Sequence, residues 1–171
     1  QDAMTVIASE TYTSVSAPIQ YAAIRAFQGG PEIESYLVQS RRIMDALGQV
    51  VFSSLVSIGA TVNVPEGGFY LFPDFSPIRH RLKNKGIFNS DSLCDRLLID
   101  TGVAMLPGTS FGRPPEEFSL RIAFVDFDGD AALDAALDVP LDKPLSLEFI
   151  DKYCGKIPKA MNRISRWFEE L

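Results

Sequence analysis

The sequence predicts an α+β domain, a small sheet backed by helices. Three patterns predict it. Residues 118–127, Phe-Ser-Leu-Arg-Ile-Ala-Phe-Val-Asp-Phe, alternate in bulk with period two and read as a strand. Ile33, Leu37, Ile43, Met44, Leu47, Val50, Val51, Leu55 and Ile58 recur near the 3.6-residue period of a helix. Met161, Ile164, Trp167, Phe168 and Leu171 make a second helical stripe at the end of the chain. A hydrophobic content of 46% over 171 residues is enough to fill one core of ordinary size.

The elements follow in order. Glu10 to Ser14 is a polar, hydroxyl-rich turn. Pro18, two residues after Ser16, opens a helix carrying Ile19, Ala22, Ala23 and Phe27, and Gly29-Gly30 stops it. Pro31 opens the longest helix, expected over 31–58 and closed by Gly59. At 1.5 Å per residue it would be about 40 Å long, a length that bridges two domains. The expected organisation is therefore a segment 1–30, followed by a domain 31–171 that this helix opens. Arg41 and Arg42 are expected on the solvated side of the helix.

Thr61 to Pro65 then leads to Glu66-Gly67-Gly68-Phe69-Tyr70-Leu71-Phe72, a strand entered through two glycines. Paired glycines there mean a tight turn, or a backbone that something approaches closely. Asp74 to Asn89 reads as a loop holding an exposed His80. Ser90 or Asp91 caps a helix with Leu93, Leu97 and Leu98, and Gly102 ends it. Val103 to Leu106 is a strand, and Pro107 to Gly112 a loop. Asp128 caps a helix carrying Leu133 and Leu137; Asp126 to Asp130 lacks the spacing and closing Glu of a calcium loop. After a linker at 139–144, Ser146 caps a helix ending near Gly155, and Pro158 starts the last one.

Composition narrows the function classes. A net charge of -6 with no basic stripe argues against nucleic acid. No apolar run approaches the ~20 residues that span a bilayer, and no signal peptide opens the chain. Cys94 and Cys154 make no disulfide framework, and with His80 alone no soft-metal site is expected. These features describe a reduced, cytoplasmic protein. The opening Gln1-Asp2-Ala3-Met4 reads as the continuation of something longer, a fragment or an excised domain.

Arg121 is the residue of interest. On its face of the strand it has Ser119, Ala123 and Val125, small neighbours that leave room for a partner. A planar fork of donors suits a carboxylate held by two parallel hydrogen bonds. The alternatives are an internal Arg–Asp pair, or an edge strand facing water.

Three motifs come in order: Glu66-Gly67-Gly68-Phe69-Tyr70, then Thr101 to Gly112 (TGVAMLPGTSFG), then Ser119-Leu120-Arg121-Ile122-Ala123-Phe124. Together they resemble the small C-terminal domain of class I/II pyridoxal-phosphate-dependent aminotransferases, the aspartate-aminotransferase-like enzymes of fold type I. Tyr12-Thr13-Ser14 through Pro18-Ile19-Gln20 resembles the segment that follows the cofactor lysine there, so 1–30 would be the remnant of that segment.

The resemblance implies that Arg121 grips the α-carboxylate of an amino acid or 2-oxo acid substrate. Gly67 and Gly68 would let the backbone pass close to the substrate, with Phe69 or Tyr70 lining the entrance and the 107–112 loop shaping it. Thr13 and Ser14 would lie near the cofactor phosphate of a partner subunit in a homodimer. The cofactor, pyridoxal 5'-phosphate, is held in this family as a Schiff base on a lysine. Lys83, Lys85, Lys143, Lys152, Lys156 and Lys159 lack that lysine's context. The isolated chain is therefore expected to be inactive, with no catalytic residue of its own. Two rival readings are an aminotransferase-like ligand-sensing domain of a transcription regulator, marked by a basic DNA-binding segment upstream, and a degenerate interaction domain.

Overall fold

The computed structural model describes residues 2–12 and 14–171. The chain forms two compact units, 1–38 and 39–171.

The first unit holds α1 (Asp2–Thr11) and α2 (Ala17–Gln28), neither of which has a buried residue. The sequence predicts only a turn over 10–14 here, but α1 takes in Glu10 and Thr11, and its Met4, Ile7 and Ala8 stand at helical spacing. Ser16 precedes α2 and Gly29, at φ 68°, ends it as expected. Arg25 bonds the Gly29 carbonyl at 2.6 Å and Glu32 at 2.8 Å, tying the end of α2 to the next helix.

That helix, α3 (Pro31–Ser57), is continuous over 27 residues. Within the second unit it buries Ile43, Leu47, Val51 and Leu55, one face at helical spacing. Arg42 departs from expectation. It is half-buried, and its guanidinium donates to Gln39 Oε1 (2.8 Å) and to the carbonyls of Ala136 (3.2 Å), Val139 (3.1 Å), Pro140 (3.0 Å) and Lys143 (2.9 Å). It fastens a distant chain segment onto α3. Arg41 is exposed.

The sheet has three antiparallel strands in the order β1 (Tyr70–Leu71), β3 (Leu120–Ala123), β2 (Leu106–Pro107). Tyr70 pairs with Ala123 and Leu71 with Ile122; Leu106 pairs with Arg121 and Pro107 with Leu120. Single bridges from Thr61 to Asp74 and from Asp74 to Ser119 extend it. The ten-residue strand expected at 118–127 is thus four residues long, because its partner β1 begins just after the turn at Gly68 (φ 72°). Its inward face is as expected: Phe118, Leu120, Ile122 and Phe124 are each 5% exposed or less. The strand expected at 103–106 enters the ladder only at Leu106.

Helices cover that inward face. The expected loop at 74–89 contains a 3-10 turn (Ser76–Ile78) and α4 (Arg79–Asn84), started by Asp74 accepting from Ser76 N at 2.8 Å and anchored by the fully buried Leu82. His80 is exposed. α5 (Ser90–Thr101) is capped by Asn89, one residue earlier than expected, in a reciprocal box with Ser92. Gly102 ends it in the left-handed region.

α6 (Gly129–Leu137) is capped by Asp128 as expected, but it buries Ala132 and Ala136; Leu137 is 59% exposed. The small residues let α6 come close to its neighbours, and Arg42 reaches its last turn. Ser146 caps α7 (Leu147–Tyr153), and α8 (Lys156–Glu169) closes the core with Phe168 stacked on Phe75 at 4.7 Å. Among the described residues no helix is long and apolar enough to cross a membrane.

Candidate functional site

β3 is the central strand, so Arg121 does not stand on a sheet edge. The pleat that sends Leu120 and Ile122 into the core turns Arg121 to the opposite face. The small neighbours on its own strand do leave space, but rings from adjacent elements fill it. The Arg121 guanidinium carbon lies 4.4 Å from the centroid of Tyr70 and 4.4 Å from that of Phe111. The strand order explains the arrangement: Tyr70 comes from β1 on one side of β3. Phe111 ends the 3-10 turn Gly108–Phe111, which follows β2 on the other side. Phe72 meets Phe111 edge-on at 5.6 Å, bracing that ring.

Arg121 is half-buried, and among the described residues it has no carboxylate partner. The nearest acids in sequence are engaged elsewhere: Glu117 with Arg113 at 2.8 Å, and Asp126 with Lys156 at 2.8 Å. A guanidinium flanked by two aromatic rings is attracted by their quadrupoles and loses rotamer freedom. No hydrogen bond among the described residues occupies its N–H donors, which suit a planar acceptor.

Gly67, Gly68 and Phe69 lie elsewhere on the same strand end. They line a cavity of about 400 Å³ with Arg41, Met44 and Pro65. A Cβ added to Gly67 or Gly68 would meet nothing of this chain within 4 Å. The sequence-derived set therefore divides: Tyr70 contacts Arg121, while the two glycines and Phe69 border a separate hollow. Phe69 and Tyr70 connect the two groups, with ring centroids 4.3 Å apart. Ser14 is exposed in the first unit, and Thr13 lies outside the described residues. Phe111 is the residue the sequence did not single out within its loop. An aromatic side chain immediately before Gly112 was the available signal.

The remaining reactive groups are poorly suited to chemistry. All six lysines are exposed. Both thiols are buried and free; desolvation, reinforced by Asp91 and Asp95, pushes Cys94 up to about 12, and desolvation pushes Cys154 up to about 11. Neither is a nucleophile at neutral pH.

A family model described as aminotransferase class I and II matches residues 2–135. An aspartate aminotransferase of Geobacillus stearothermophilus is 34% identical over 113 residues, 66% of this chain and 27% of that protein. An aspartate/prephenate aminotransferase of Cereibacter sphaeroides is 32% identical over 129 residues, 74% of this chain and 31% of that protein. The solved aspartate aminotransferase of Thermus thermophilus with maleate superposes with a TM-score of 0.61 at 21% identity, covering 96% of this chain and 33% of that one. The chain spans about three tenths of the length of the curated relatives it matches.

Proposed function

The chain belongs to the class I and II aminotransferases, and from that membership we propose that it carries the substrate-carboxylate receptor of such an enzyme. Arg121 is the receptor. It grips the α-carboxylate of an amino acid or 2-oxo acid through two parallel N–H···O bonds. The observation that carries this reading is a guanidinium in the central strand, flanked by Tyr70 and Phe111, with no acid to satisfy it among the described residues.

Each neighbouring feature has a part in that reading. Tyr70 and Phe111 hold the guanidinium in place before substrate arrives, so less ordering entropy is lost on binding. They also exclude water from the ion pair, which strengthens it. Gly67 and Gly68 leave the backbone bare where the substrate or a second chain segment passes, and Phe69 borders that passage. Thr13 and Ser14 serve a cofactor phosphate in a partner subunit.

Pyridoxal 5'-phosphate, the family's cofactor, supplies an electron sink for removing a proton from the substrate's α-carbon. The lysines present do not fit that group. Its covalent anchor is a desolvated lysine, and all six lysines here are exposed. The anchor belongs to a part of the full-length protein outside residues 1–171, and this chain alone is inactive. The full-length enzyme works as a homodimer in amino acid metabolism. A cytoplasmic setting fits its two unpaired cysteines. Residues 31–171 are its small domain, opened by the long interdomain helix, and 1–30 continue from the cofactor domain.

The test is steady-state kinetics of the full-length protein with Arg121→Ala. Loss of a desolvated charge pair is expected to lower kcat/KM about a hundredfold or more, with KM carrying much of the change. Unchanged kcat/KM would overturn the reading.

A further inference from the structure

Ser119 precedes Arg121 by two residues and therefore faces the same side of the sheet. It is not open there. The residue is 2% exposed, and its hydroxyl is buried with no hydrogen-bond partner among the described residues. It is covered by Gly108, whose N–H donates to the Ser119 carbonyl at 2.8 Å. A Cβ on Gly108 would overlap Ser119 Oγ and stand 3.0 Å from the Ser119 carbonyl oxygen and 3.2 Å from Arg113 Cβ. Gly108 has no positive φ to explain its identity. Close approach does.

From that contact the chain makes one 3-10 turn, Gly108–Phe111. Arg113 N donates to the Gly108 carbonyl and Gly112 N to the Thr109 carbonyl, each at 3.1 Å. Thr109 Oγ1 donates to the Asp91 carboxylate at 3.0 and 3.1 Å, holding the outer side of the turn to the start of α5. The turn begins against Ser119 and ends with the Phe111 ring over Arg121. β2 runs antiparallel to β3, so the chain reaches Gly108 heading away from Arg121 and must fold back within this turn to bring Phe111 over it. The seat of Gly108 is the fixed end from which the ring is placed.

We infer that Gly108 and Ser119 are positioning residues for carboxylate recognition: their contact fixes the distance of the turn from β3, and thereby places Phe111 on the Arg121 guanidinium. This rests on reading Arg121 as the carboxylate receptor. Neither residue touches the ligand. The expected signature is a selective loss of carboxylate affinity when the turn is lifted.

The experiment is calorimetric titration of the cofactor-loaded full-length protein with maleate, a small carboxylate probe, and of its apo form with pyridoxal phosphate. Gly108→Ala is expected to weaken maleate about tenfold, the loss of one shielded cation–π contact, while pyridoxal phosphate affinity stays unchanged. Gly108→Ala with Ser119→Ala removes the overlapping hydroxyl and should recover most of that loss.

If Gly108→Ala alone does not fold, the double variant is compared with Ser119→Ala. The remaining contact with the Ser119 carbonyl should then cost about threefold in maleate affinity. Parental maleate affinity in a folded Gly108→Ala would overturn the inference, as would parallel loss of both ligands; where Gly108→Ala does not fold, a double variant that binds maleate as tightly as Ser119→Ala would overturn it. Arg121→Ala runs beside them. If it leaves maleate binding intact, the receptor reading fails; if it abolishes binding while Gly108→Ala does not weaken it, only the positioning role fails.

Discussion

The guanidinium of Arg121 lies 4.4 Å from the ring centroid of Tyr70, its diagonal neighbour across the β1–β3 pair. Tyr70 stands opposite Ala123, so a large ring faces a small residue and leans toward the arginine two positions back. The contact keeps a charged group in place on an otherwise aromatic surface without supplying the anion that would neutralise it.

Replacing Arg121 with Lys should separate charge from shape. A lysine retains the positive charge but not the planar fork or the stacking. Arg121→Lys in the full-length protein is expected to lower kcat/KM about tenfold or more, and to remain better than Arg121→Ala. Equal activity of the Lys variant and the parent would show that only charge matters.

The two rings can be tested one at a time. Tyr70→Phe keeps the π face, and its effect on substrate KM should be under about threefold; Tyr70→Leu removes the face and should raise KM by about threefold to tenfold. A Tyr70→Phe defect as large as that of Tyr70→Leu would assign the role to the hydroxyl instead.

Gly67→Ala probes the bare backbone beside Phe69. Nothing of this chain lies within 4 Å of the added methyl. Thermal stability should therefore hold or rise slightly, by about 0.5 kcal/mol from the stiffer unfolded chain. Substrate KM should rise if substrate passes there. A stable variant with unchanged KM would leave Gly67 as a turn residue only.

Much of this arrangement was legible in the sequence, because it depends on short-range periodicity. The alternation at 118–124 set the buried face of β3 and turned Arg121 to the other side. Gly29, Gly68 and Gly102 ended or turned their segments as their positions required. What the sequence hid depends on contacts between distant residues. Arg41 and Arg42 are chemically identical neighbours, yet helical geometry points them about 100° apart. The carbonyls that hold Arg42 lie 94 to 101 residues away. Phe111 sat in a loop whose path over Arg121 is fixed by the Gly108–Ser119 contact. In α6 Ala132 and Ala136 are fully buried and Leu133 packs beside them, while Leu137 faces out, a choice set by how closely α6 packs.

Arg42 should matter for stability alone. Removing it leaves the carbonyls of Val139 and Lys143 without a donor among the described residues, and takes from those of Ala136 and Pro140 one of their two. Arg42→Ala is expected to cost about 2 kcal/mol or more, read from urea unfolding. Arg42→Lys should recover little, since one ammonium cannot reach the same spread of acceptors.

The thiols give a pH dependence of defined sign. Burial holds Cys94 at about 12 and Cys154 at about 11 in the folded chain, against 9.0 for an ordinary thiol. Above pH 9 the unfolded chain loses these protons and the folded chain keeps them. Stability from these groups is therefore full below pH 9 and falls as pH rises from 9 toward 11 and 12, by about 1.4 kcal/mol per pH unit for each thiol. Cys94→Ala with Cys154→Ala should flatten that part of the urea-unfolding profile. An equally steep profile in the double variant would assign the loss to other groups.

The most direct measurement is a crystal structure of the full-length protein with maleate bound. Two Arg121 nitrogens should each lie about 2.8 Å from the two oxygens of one carboxylate, with Tyr70 and Phe111 still against the guanidinium. A carboxylate bound away from Arg121, with that guanidinium paired instead to an acid of its own protein, would contradict the account.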